Sequence, residues 1–587
     1  MTDPPPPQGG PARARPAWRA LFPPAQWLPD YRAAWLRNDA VAGVTLAAYA
    51  IPVSLAYASL AGLPPEQGVY CYLVAGLAYA LFGTSRQLAI GPTSAISLLV
   101  GTTVAGMAGG DPARWAAIAA LAAAVFAAIA FAAWALRLSS LVNFISETIL
   151  TGFKAGAALT IAMTQLPKLF GVKGGGDHFF ERAWTLAGQL PDTNPWVLGF
   201  GLAAIALLVA GERLLPSRPV ALLVVIASIV ALTVTPLAAH GFRTVGLLPS
   251  GLPSLAWPSL SWRDADGVIP LAFACFLLAY IEGVSAARTI AAKHGTEIDA
   301  RQELFALGAA NVATALGQGY PVAGGLSQST VNDNAGARTP LALVFASATI
   351  ALCLLFLTGL LRNLPDVVLA AIVLVAVKGL VDLAELRRIR DLSRMEFGVA
   401  MVAFAGVLLL GILKGVLLAA LVSMLLLVGR TANPHVARLG RVPGTTRYSD
   451  AERHPENESV PGVAIVRVES GVFYFNVNHV RDELRRHFAA SGEGLRLVVW
   501  DLSTSPYVDI AGARLIAETQ RELAARGVAL RLVDAHAQVR ELVRKAVGPA
   551  VGEVSRRISI DDAVAAAREG AAAADPPAGA ATPPGSP

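Results

Sequence analysis

Long, uninterrupted apolar runs dominate the chain between residues 40 and 430. Residues 115–135, 219–242 and 340–361 contain no Asp, Glu, Lys or Arg. A membrane-spanning helix needs about 20 such residues, whereas strands of a membrane barrel would alternate apolar and polar positions over about ten residues. The pattern therefore predicts a polytopic, all-α membrane domain. About fourteen spans are expected, at 40–60, 68–83, 92–109, 115–136, 147–166, 195–213, 219–239, 268–291, 302–317, 326–338, 340–361, 365–381, 396–412 and 415–430.

Composition supports a membrane protein and narrows its chemistry. Of 587 residues, 55% are hydrophobic and 15% are charged, against roughly 25% charged residues in soluble domains. The three cysteines lie in apolar segments and predict neither a disulfide framework nor a metal cluster. The sequence has no GxxxxGK[ST] phosphate loop, so an ATP-driven pump is unsupported. No His/Cys cluster suggests metal catalysis, and we expect no cofactor and no enzymatic activity. The formal charge of +6 is spread along the chain and predicts no nucleic-acid partner.

The positive residues predict an orientation. An even number of spans leaves both termini on one side, and Lys and Arg accumulate there, as they do in cytoplasmic loops. The segment RRIRDLSR, Arg387–Arg394, is the strongest indication. We therefore expect a protein of the bacterial inner (plasma) membrane with cytoplasmic termini. The bias is imperfect, because Lys168, Lys173, Arg243 and Arg362 fall on the outer side.

Two apolar segments begin with helix breakers and then turn polar. The third opens as GPTSAISLLVGTT and the tenth as GGLSQSTVNDNAG. The tenth covers about 11 residues, roughly 16 Å as a helix, which is half a bilayer. Gly83 and Gly91 recur as Gly317 and Gly325, an offset of 234 residues. Half-helices in corresponding places of two seven-span halves predict a 7+7 inverted repeat and a transporter site.

A half-helix that begins within the membrane leaves its first N–H groups without intrahelical partners, and protein, water or ligand must satisfy them. Two such N-termini, each with about half a positive charge, can hold an anion between them. The alternative is that the polar groups only cap helices and satisfy backbone across the bundle. The candidate donors are Thr93, Ser94, Ser97, Ser327, Gln328 and Ser329.

Motifs across Ala50–Gly101 resemble those of a known family. They are the Pro52-x-x-x-Ala56-Tyr57 of the first span, the AGLPP turn, YALFGTSRQ and GPTSA. Together with FISETILTGFKAGAALTIAMTQLPKLFG, residues 144–171, they are similar to the SulP family of sulfate-permease-like anion transporters.

The resemblance implies a uracil-permease-like fold with a core of spans 1–4 and 8–11 and a gate of spans 5–7 and 12–14. It implies elevator-like movement of core against gate, a homodimer in membrane lipid, and a small inorganic or organic anion as substrate. By the same resemblance, the substrate-binding positions are Ser54, Tyr57, Thr93, Ser94, Ala95, Leu326, Ser327, Gln328 and Ser329.

Two positions depart from the family pattern. Val69 stands where leucine is common, and Gln328 stands where some members carry arginine. Gln328 removes a fixed positive charge, which counts against the chloride-type or sulfate-exchange behaviour of animal members. We expect the tenth segment to hold an anion through dipoles and neutral donors alone.

Glu282 lies about half-way along the apolar eighth span. A charged carboxylate there costs at least a few kcal/mol unless it is paired or protonated. Ser285 and Ala286 follow three and four residues on, and Arg288 lies about 120° around the helix, so no cation shares its face within a turn. Glu282 is therefore a candidate proton carrier, and in the family an acid here is linked to cation coupling, glutamate resembling the proton-coupled pattern. The alternative is a carboxyl group that hydrogen-bonds the half-helices for structure alone.

Other membrane charges favour structural interpretations. Glu147 and Lys154 are seven residues apart and are expected to pair near the cytoplasmic entrance of the fifth span. The segment GFKAG, Gly152–Gly156, is typical of close helix packing. Asp333 is expected to face the cytoplasm rather than to form a second coupling site.

After Arg430 strands alternate with amphipathic helices, which predicts a small α/β domain. Its segment DLSTSPYVDIAGARLI resembles the STAS domain, in which some members phosphorylate a serine just before the glycine. Here Ala511 precedes Gly512, so that switch is not expected; Ser503 and Thr504 are weaker candidates, and a packing and dimerisation module is favoured. The expected domains are a disordered arm 1–30, the transporter domain 31–432, a linker 433–460, the STAS domain 461–570 and a disordered tail 571–587.

The function predicted from these features is proton-coupled symport of sulfate or a related small anion, with the proton as coupling ion. Alternatives within the family are a bicarbonate or C4-dicarboxylate transporter. A nucleobase carrier of the same fold is disfavoured by the STAS domain and the GTSRQ…GPTSA run. A further alternative is an anion sensor or a non-transporting membrane protein.

Overall fold

The computed structural model describes residues 21–139, 147–215, 219–258, 264–492, 494–547 and 558–574. The chain divides into two compact units, Met1–Ser423 and Met424–Pro587. The disorder expected for the two ends lies largely outside the described residues. Within the described part of the N-terminal arm, Pro24–Trp27 is helical and Leu28–Asp30 forms a 3-10 turn, so residues 21–30 are ordered against expectation.

Each of the fourteen predicted spans contains a helix. Among the described residues, seven helices have at least 18 residues and enough apolar character to cross a membrane, and three further apolar helices are shorter. The helices are α1 Pro24–Trp27, α2 Ala33–Leu60, α3 Pro65–Phe82, α4 Ser94–Ala108, α5 Pro112–Ala135, α6 Glu147–Phe170, α7 Phe179–Gln189, α8 Pro195–Leu214, α9 Val220–Val234, α10 Ala265–His294, α11 Ala300–Leu316, α12 Leu326–Asn334, α13 Leu341–Phe356, α14 Asp366–Lys378, α15 Leu383–Leu392, α16 Arg394–Leu410 and α17 Ile412–Ala432.

Several helices begin at a residue whose side chain caps the first turn. Asp111 accepts the N–H of Ala113 at the start of α5 (2.9 Å), and Asn194 accepts the N–H of Trp196 at the start of α8 (3.0 Å). Asp299 does the same for α11. These caps satisfy N–H groups that a helix start leaves unpaired. Helices α4 and α12 lack such a side-chain cap.

A short antiparallel ribbon joins the two halves of the first unit. Strand β1, Ile90–Gly91, pairs with β2, Ala323–Gly324, so that Ile90 faces Gly324. Each strand leads directly into a half-helix, α4 after β1 and α12 after β2. Because corresponding segments of the two halves run in opposite directions, the ribbon is the local form of the predicted inverted repeat.

The helices of the first unit sort into the two expected groups. Helix α2 packs against α13, and α3 and α5 pack against α11, whereas α6 packs against α16 and α14. The α6–α16 contact is close because Gly152 lies on the backbone of Ala400, where a Cβ would collide, and a Cβ at Gly156 would lie 2.9 Å from the carbonyl oxygen of Phe404. The close packing predicted for GFKAG is confirmed.

Two buried carboxyl groups each hold a loop of the opposite half. Asp39 of α2 accepts the N–H groups of Arg338 (2.7 Å) and Thr339 (3.0 Å), and the Thr339 hydroxyl (2.6 Å). Glu303 of α11 accepts the hydroxyl of Tyr79 (2.8 Å) and the N–H of Thr84 (2.9 Å). Each acid thus replaces the hydrogen-bond acceptors that a loop next to apolar helices cannot obtain from water.

The second unit is a five-stranded sheet with helices on both faces. Its elements are β3 Val436–Arg441, β4 Tyr448–Asp450, β5 Val463–Val468, α18 Val477–Ala490, β6 Leu497–Asp501, α19 Ile510–Ala524, β7 Ala529–Val533, α20 Ala537–Val547 and α21 Ile560–Ala574. The strand order is β4-β3-β5-β6-β7, with β5, β6 and β7 parallel and the β4–β3 and β3–β5 pairs antiparallel. Side chains of α18, α19 and α20 cover one face, where Trp500 of β6 is buried, and α21 covers the other.

The prediction of a linker at 433–460 is wrong, because this segment supplies strands β3 and β4 to the sheet. Strand β3 pairs with β5 from Val436, opposite Val468, to Arg438, opposite Val466. At the other end, α21 continues to Ala574 rather than ending at 570. The folded domain is therefore longer at both ends than the sequence pattern indicated.

Replacing Asp39 by alanine should destabilise the first unit. The change leaves the buried Thr339 N–H and hydroxyl without their acceptor, at roughly 1–3 kcal/mol for each unsatisfied buried group. We expect a lower thermal unfolding midpoint for the purified full-length protein in detergent. Asp30→Ala, at an exposed position, is the matched control and should leave the midpoint unchanged; equal midpoints for both variants would contradict the role given to Asp39.

Candidate functional site

The two half-helices begin at the wall of one cavity of about 200 Å³. The start of α4 contributes Thr93, Ser94 and Ala95, and the start of α12 contributes Leu326 and Ser327. We call this space the half-helix cavity. Its volume is below that of typical sites for drug-sized ligands, which are roughly 300–1,000 Å³, so it suits a small ion.

The first backbone N–H groups of both half-helices, at the wall of this space, lack acceptors within their own helices. The first hydrogen bonds within each helix are Ser97 N–H to Thr93 O (2.9 Å) and Ser329 N–H to Gly325 O (3.0 Å). The N–H groups that precede Ser97 and Ser329 in each first turn therefore have no intrahelical acceptor. The buried hydroxyl of Thr93 also lacks a hydrogen-bond partner. The positive ends of two helix dipoles and a free hydroxyl form a site for an anion.

Seven of the nine predicted substrate-binding residues line the half-helix cavity. Tyr57 comes from α2 and Ser94 from α4, and Ser327 is exposed. Ser54 and Ser329 do not line it: both are buried, and Ser54 donates to the carbonyl oxygen of Ala50 in its own helix. The seven are Tyr57, Thr93, Ser94, Ala95, Leu326, Ser327 and Gln328.

Gln328 lines the cavity but uses its donors elsewhere. Its amide nitrogen donates to the carbonyl oxygens of Ala89 (3.1 Å) and Ala323 (3.3 Å), one from each half. The Ser329 hydroxyl likewise accepts the Ala89 N–H (2.9 Å) and donates to Gly325 O (2.7 Å). These two side chains hold the ribbon to α12, so the amide donors expected from Gln328 are committed to the frame.

Glu282 and Lys154 line the same cavity from opposite helix groups. Glu282 lies on α10 and Lys154 on α6, and the two side chains interact electrostatically. The predicted pair of Lys154 with Glu147 stays a prediction, because the Glu147 side chain lies outside the described part of the chain. The site thus contains a fixed cation, Lys154, which the sequence analysis had paired with Glu147 instead. The position of Lys154 within an apolar helix is the sequence signal that could have identified it.

Helix α10 brings further hydroxyl groups to the cavity. Ser285 and Thr289 line it together with Glu282, three and seven residues on, and therefore on one helix face. The close approach of Gly283 to the ribbon positions this face, because a Cβ on Gly324 would lie 3.1 Å from the Gly283 Cα. Helical periodicity alone could have identified both hydroxyls.

Asp333 lies at the far end of α12 and has its own partners. Its carboxylate binds Lys293 Nζ (2.6 Å) and His294 Nε2 (2.6 Å), at the end of α10. It does not line the half-helix cavity. Asp333 therefore ties two helix ends together and leaves Glu282 as the acid of the site.

In the second unit, Ala511, which stands where some STAS domains have a phosphorylated serine, lies at a helix start. Ala511 lies in the first turn of α19, where Asp509 caps the N–H of Gly512 (2.9 Å). Thr504 donates its hydroxyl to Val468 O (2.9 Å), and Ser503 is exposed. The weaker phosphorylation candidates remain predictions.

Two family profiles match the chain. The sulfate permease family matches residues 36–403, and the STAS domain matches residues 454–548. A probable sulfate transporter of Mycobacterium tuberculosis is 34% identical over 531 residues, covering 89% of this chain and 94% of the relative. Sulfate transporter 4.1, chloroplastic, of Arabidopsis thaliana is 31% identical over 577 residues, covering 93% and 82%.

Solved structures share the fold. The murine Solute Carrier 26 family member A9 anion transporter in the inward-facing state superposes with a TM-score of 0.87 at 24% identity, covering 96% of each chain. The transmembrane domain of the cyanobacterium bicarbonate transporter BicA superposes with a TM-score of 0.58 at 21% identity, covering 67% of this chain and 98% of that domain. These likenesses bear out the predicted fold class.

Thr93→Val should weaken anion binding without weakening the fold. The hydroxyl has no protein partner, so its loss leaves no group unsatisfied, and only a bound anion would lose a donor, worth roughly 0.5–1.5 kcal/mol. The measurement is the rise of the unfolding midpoint on titration with sulfate, which should need several-fold more sulfate in the variant. Thr349→Val, whose hydroxyl bonds within its own helix away from the cavity, should titrate like wild type. An unchanged sulfate response in Thr93→Val would remove this hydroxyl from the site.

Proposed function

Because the chain belongs to the sulfate permease family, we propose that it is a secondary active transporter that carries sulfate or a related small anion in symport with protons. The observation that carries the proposal is the half-helix cavity, where two helix starts without side-chain caps meet. Such N–H donors can bind an anion reversibly, and no enzymatic step is proposed.

The charges that line the cavity support an anion rather than a neutral substrate. Two helix N-termini and Lys154 supply positive potential, and Glu282 is the acid that opposes it. Sulfate is the favoured anion because the relatives named above are sulfate transporters that match along most of the chain. Bicarbonate and C4-dicarboxylates carry the same type of charge and remain the competitors for this site.

Proton coupling follows from the shared cavity of Glu282 and the anion. An ionised Glu282 repels an anion and competes with it for Lys154, whereas a protonated Glu282 leaves that cation to the substrate. Protonation and anion binding therefore favour each other. A proton gradient directed inward would load both ligands together.

The two helix groups support an elevator-like movement. Glu282 and both half-helices belong to the core, and Lys154 belongs to the gate. Movement of the core against the gate would carry the anion and the proton away from Lys154, which would weaken the hold on the anion at the other side. The ribbon between the halves keeps the two helix starts together during this movement.

The cellular setting completes the proposal. We place the protein in lipid in the inner membrane of a bacterium, as a homodimer, with both termini in the cytoplasm and no nucleic-acid partner. The transporter domain ends near residue 432, and the STAS domain that follows serves as a packing and dimerisation module.

Uptake by proteoliposomes tests the function. Radiolabelled sulfate should enter faster when the outside is acidic than when no pH gradient exists. Excess unlabelled bicarbonate or malate should compete weakly, whereas strong competition by one of them would reassign the substrate. A well-folded sample that takes up none of these anions would contradict transport and favour a sensor.

Glu282→Gln should abolish the stimulation of uptake by the pH gradient. Glutamine keeps the size and polarity of a protonated carboxyl but cannot release the proton, so uptake should stay near the rate measured without a gradient. The control is Glu297→Gln, an exposed glutamate outside the cavity, which should keep the full response. If Glu282→Gln still responds to the gradient like wild type, Glu282 is not the proton carrier.

A further inference from the structure

A second and larger cavity of the first unit is strongly basic. Its volume is about 730 Å³, and five cations line it against one acid, Asp177. We call it the basic vestibule. Its cations are Lys168, Lys173, Arg182, Arg243 and Lys414.

These cations are not neutralised by direct partners. Among the described residues, none of the five forms a salt bridge within 4.0 Å. Asp366 lies near Lys168, and Asp177 and Glu181 lie near Arg182, close enough for longer-range attraction. Lys173, Arg243 and Lys414 are exposed. The cavity therefore keeps an excess of positive charge.

Helices α2, α4 and α6 line both cavities and so place them in sequence along one boundary. Helix α4 contributes Thr93 to the half-helix cavity and Gly106 to the basic vestibule. Helix α6 contributes Lys154 to the first and Lys168 to the second. At 1.5 Å per residue, each of these pairs is about 20–21 Å apart along its helix. The near end of the vestibule is closer, because its Leu98 lies one turn from Ala95 of the half-helix cavity. The vestibule thus extends along the same core–gate boundary from near the half-helix cavity to about 20 Å beyond it.

The rim of the vestibule is a glycine-rich turn with defined bonds. Gly174, Gly175 and Gly176 have φ of 73°, 152° and 92°, a region that residues with a Cβ rarely adopt. The Gln189 amide exchanges hydrogen bonds with both backbone groups of Gly174 (2.9 and 3.2 Å), and Arg182 Nε donates to Gly176 O (2.9 Å). This arrangement holds the Arg182 guanidinium at the cavity wall.

The position of the cations departs from the usual charge rule for membrane proteins. Lys168, Lys173 and Arg243 are three of the four residues that contradict the positive-inside distribution. All three line the basic vestibule, whereas Arg362, the fourth, does not. Their convergence on one cavity gives them a shared role on the outer side.

We propose that the basic vestibule is an outer anion-collecting site, which binds small hydrated oxyanions such as sulfate and raises their concentration at the mouth of the core–gate boundary. This inference rests on the proposed function and adds a second site to it. A cleft lined by one sign of charge raises the local concentration and arrival rate of the opposite ion by roughly 10–10³-fold. Salt screens this effect, with a Debye length of about 10 Å at 0.1 M.

The first test measures the potential of the vestibule without transport. Gly106→Cys places a thiol where no atom lies within 4 Å of the added Cβ. Anionic and cationic membrane-impermeant methanethiosulfonates are added to intact cells, and the protein without Gly106→Cys is the blank. The measured quantity is the reaction rate with the anionic reagent divided by the rate with the cationic reagent. For Gly106→Cys this ratio should be higher than for a free thiol in solution. In the combined Lys173→Gln, Arg182→Gln and Lys414→Gln background, that ratio should fall roughly tenfold.

The matched control is Arg362→Gln in the Gly106→Cys background, which removes an outer cation that does not line the vestibule. It should keep the wild-type ratio. The proposal is overturned if the triple variant also keeps that ratio, if Arg362→Gln lowers it equally, or if the thiol does not react from outside.

The second test measures uptake of external sulfate at low and high ionic strength. The triple variant should show a several-fold higher KM at low ionic strength, an unchanged kcat, and a KM that converges with wild type at high ionic strength. An equal KM for both proteins at low ionic strength would contradict the collecting role. If wild type takes up no sulfate, the proposed function fails, and the thiol ratio still decides whether the vestibule gathers anions.

Discussion

The constraint on which this structure depends is that backbone N–H groups inside a membrane must find acceptors. Helices α5, α8 and α11 meet it at their starts with the side-chain caps Asp111, Asn194 and Asp299. The ribbon of β1 and β2 stops two helices within the bundle and satisfies only the strand residues. The starts of α4 and α12 keep N–H groups without intrahelical acceptors, which water or a bound ligand can satisfy.

The polar side chains near the ribbon divide into two kinds. Gln328 and Ser329 bond to backbone groups of both halves and hold the half-helices in place. Thr93 and Ser327 face the cavity, and the Thr93 hydroxyl has no protein partner. These bonds hold the starts of both half-helices at the wall of one cavity, and a binding site needs such support for the groups that contact its ligand.

Charged residues within the apolar unit follow the boundary between the two helix groups. Glu282 and Lys154 meet at the half-helix cavity, and the cations of the basic vestibule lie further along α6 and around its end. Asp39 and Glu303 are buried away from this boundary, and each accepts several hydrogen bonds from loops. Since unpaired charge is costly in a membrane, this distribution supports the proposal that a charged substrate moves along the boundary.

Much of this protein was determined by the sequence itself. The spans, the two half-helices at 234-residue offset and the buried acid Glu282 follow from local patterns, because apolar length, glycine breaks and an isolated charge act within one segment. Tertiary structure decided which partner each polar group meets. It directed Lys154 into the cavity, committed the Gln328 amide to backbone carbonyls, and paired strand β3 of the expected linker with β5. It also gathered the outer cations from positions 168–414 into one vestibule. Such contacts join residues far apart in the chain, and local periodicity carries no information about them.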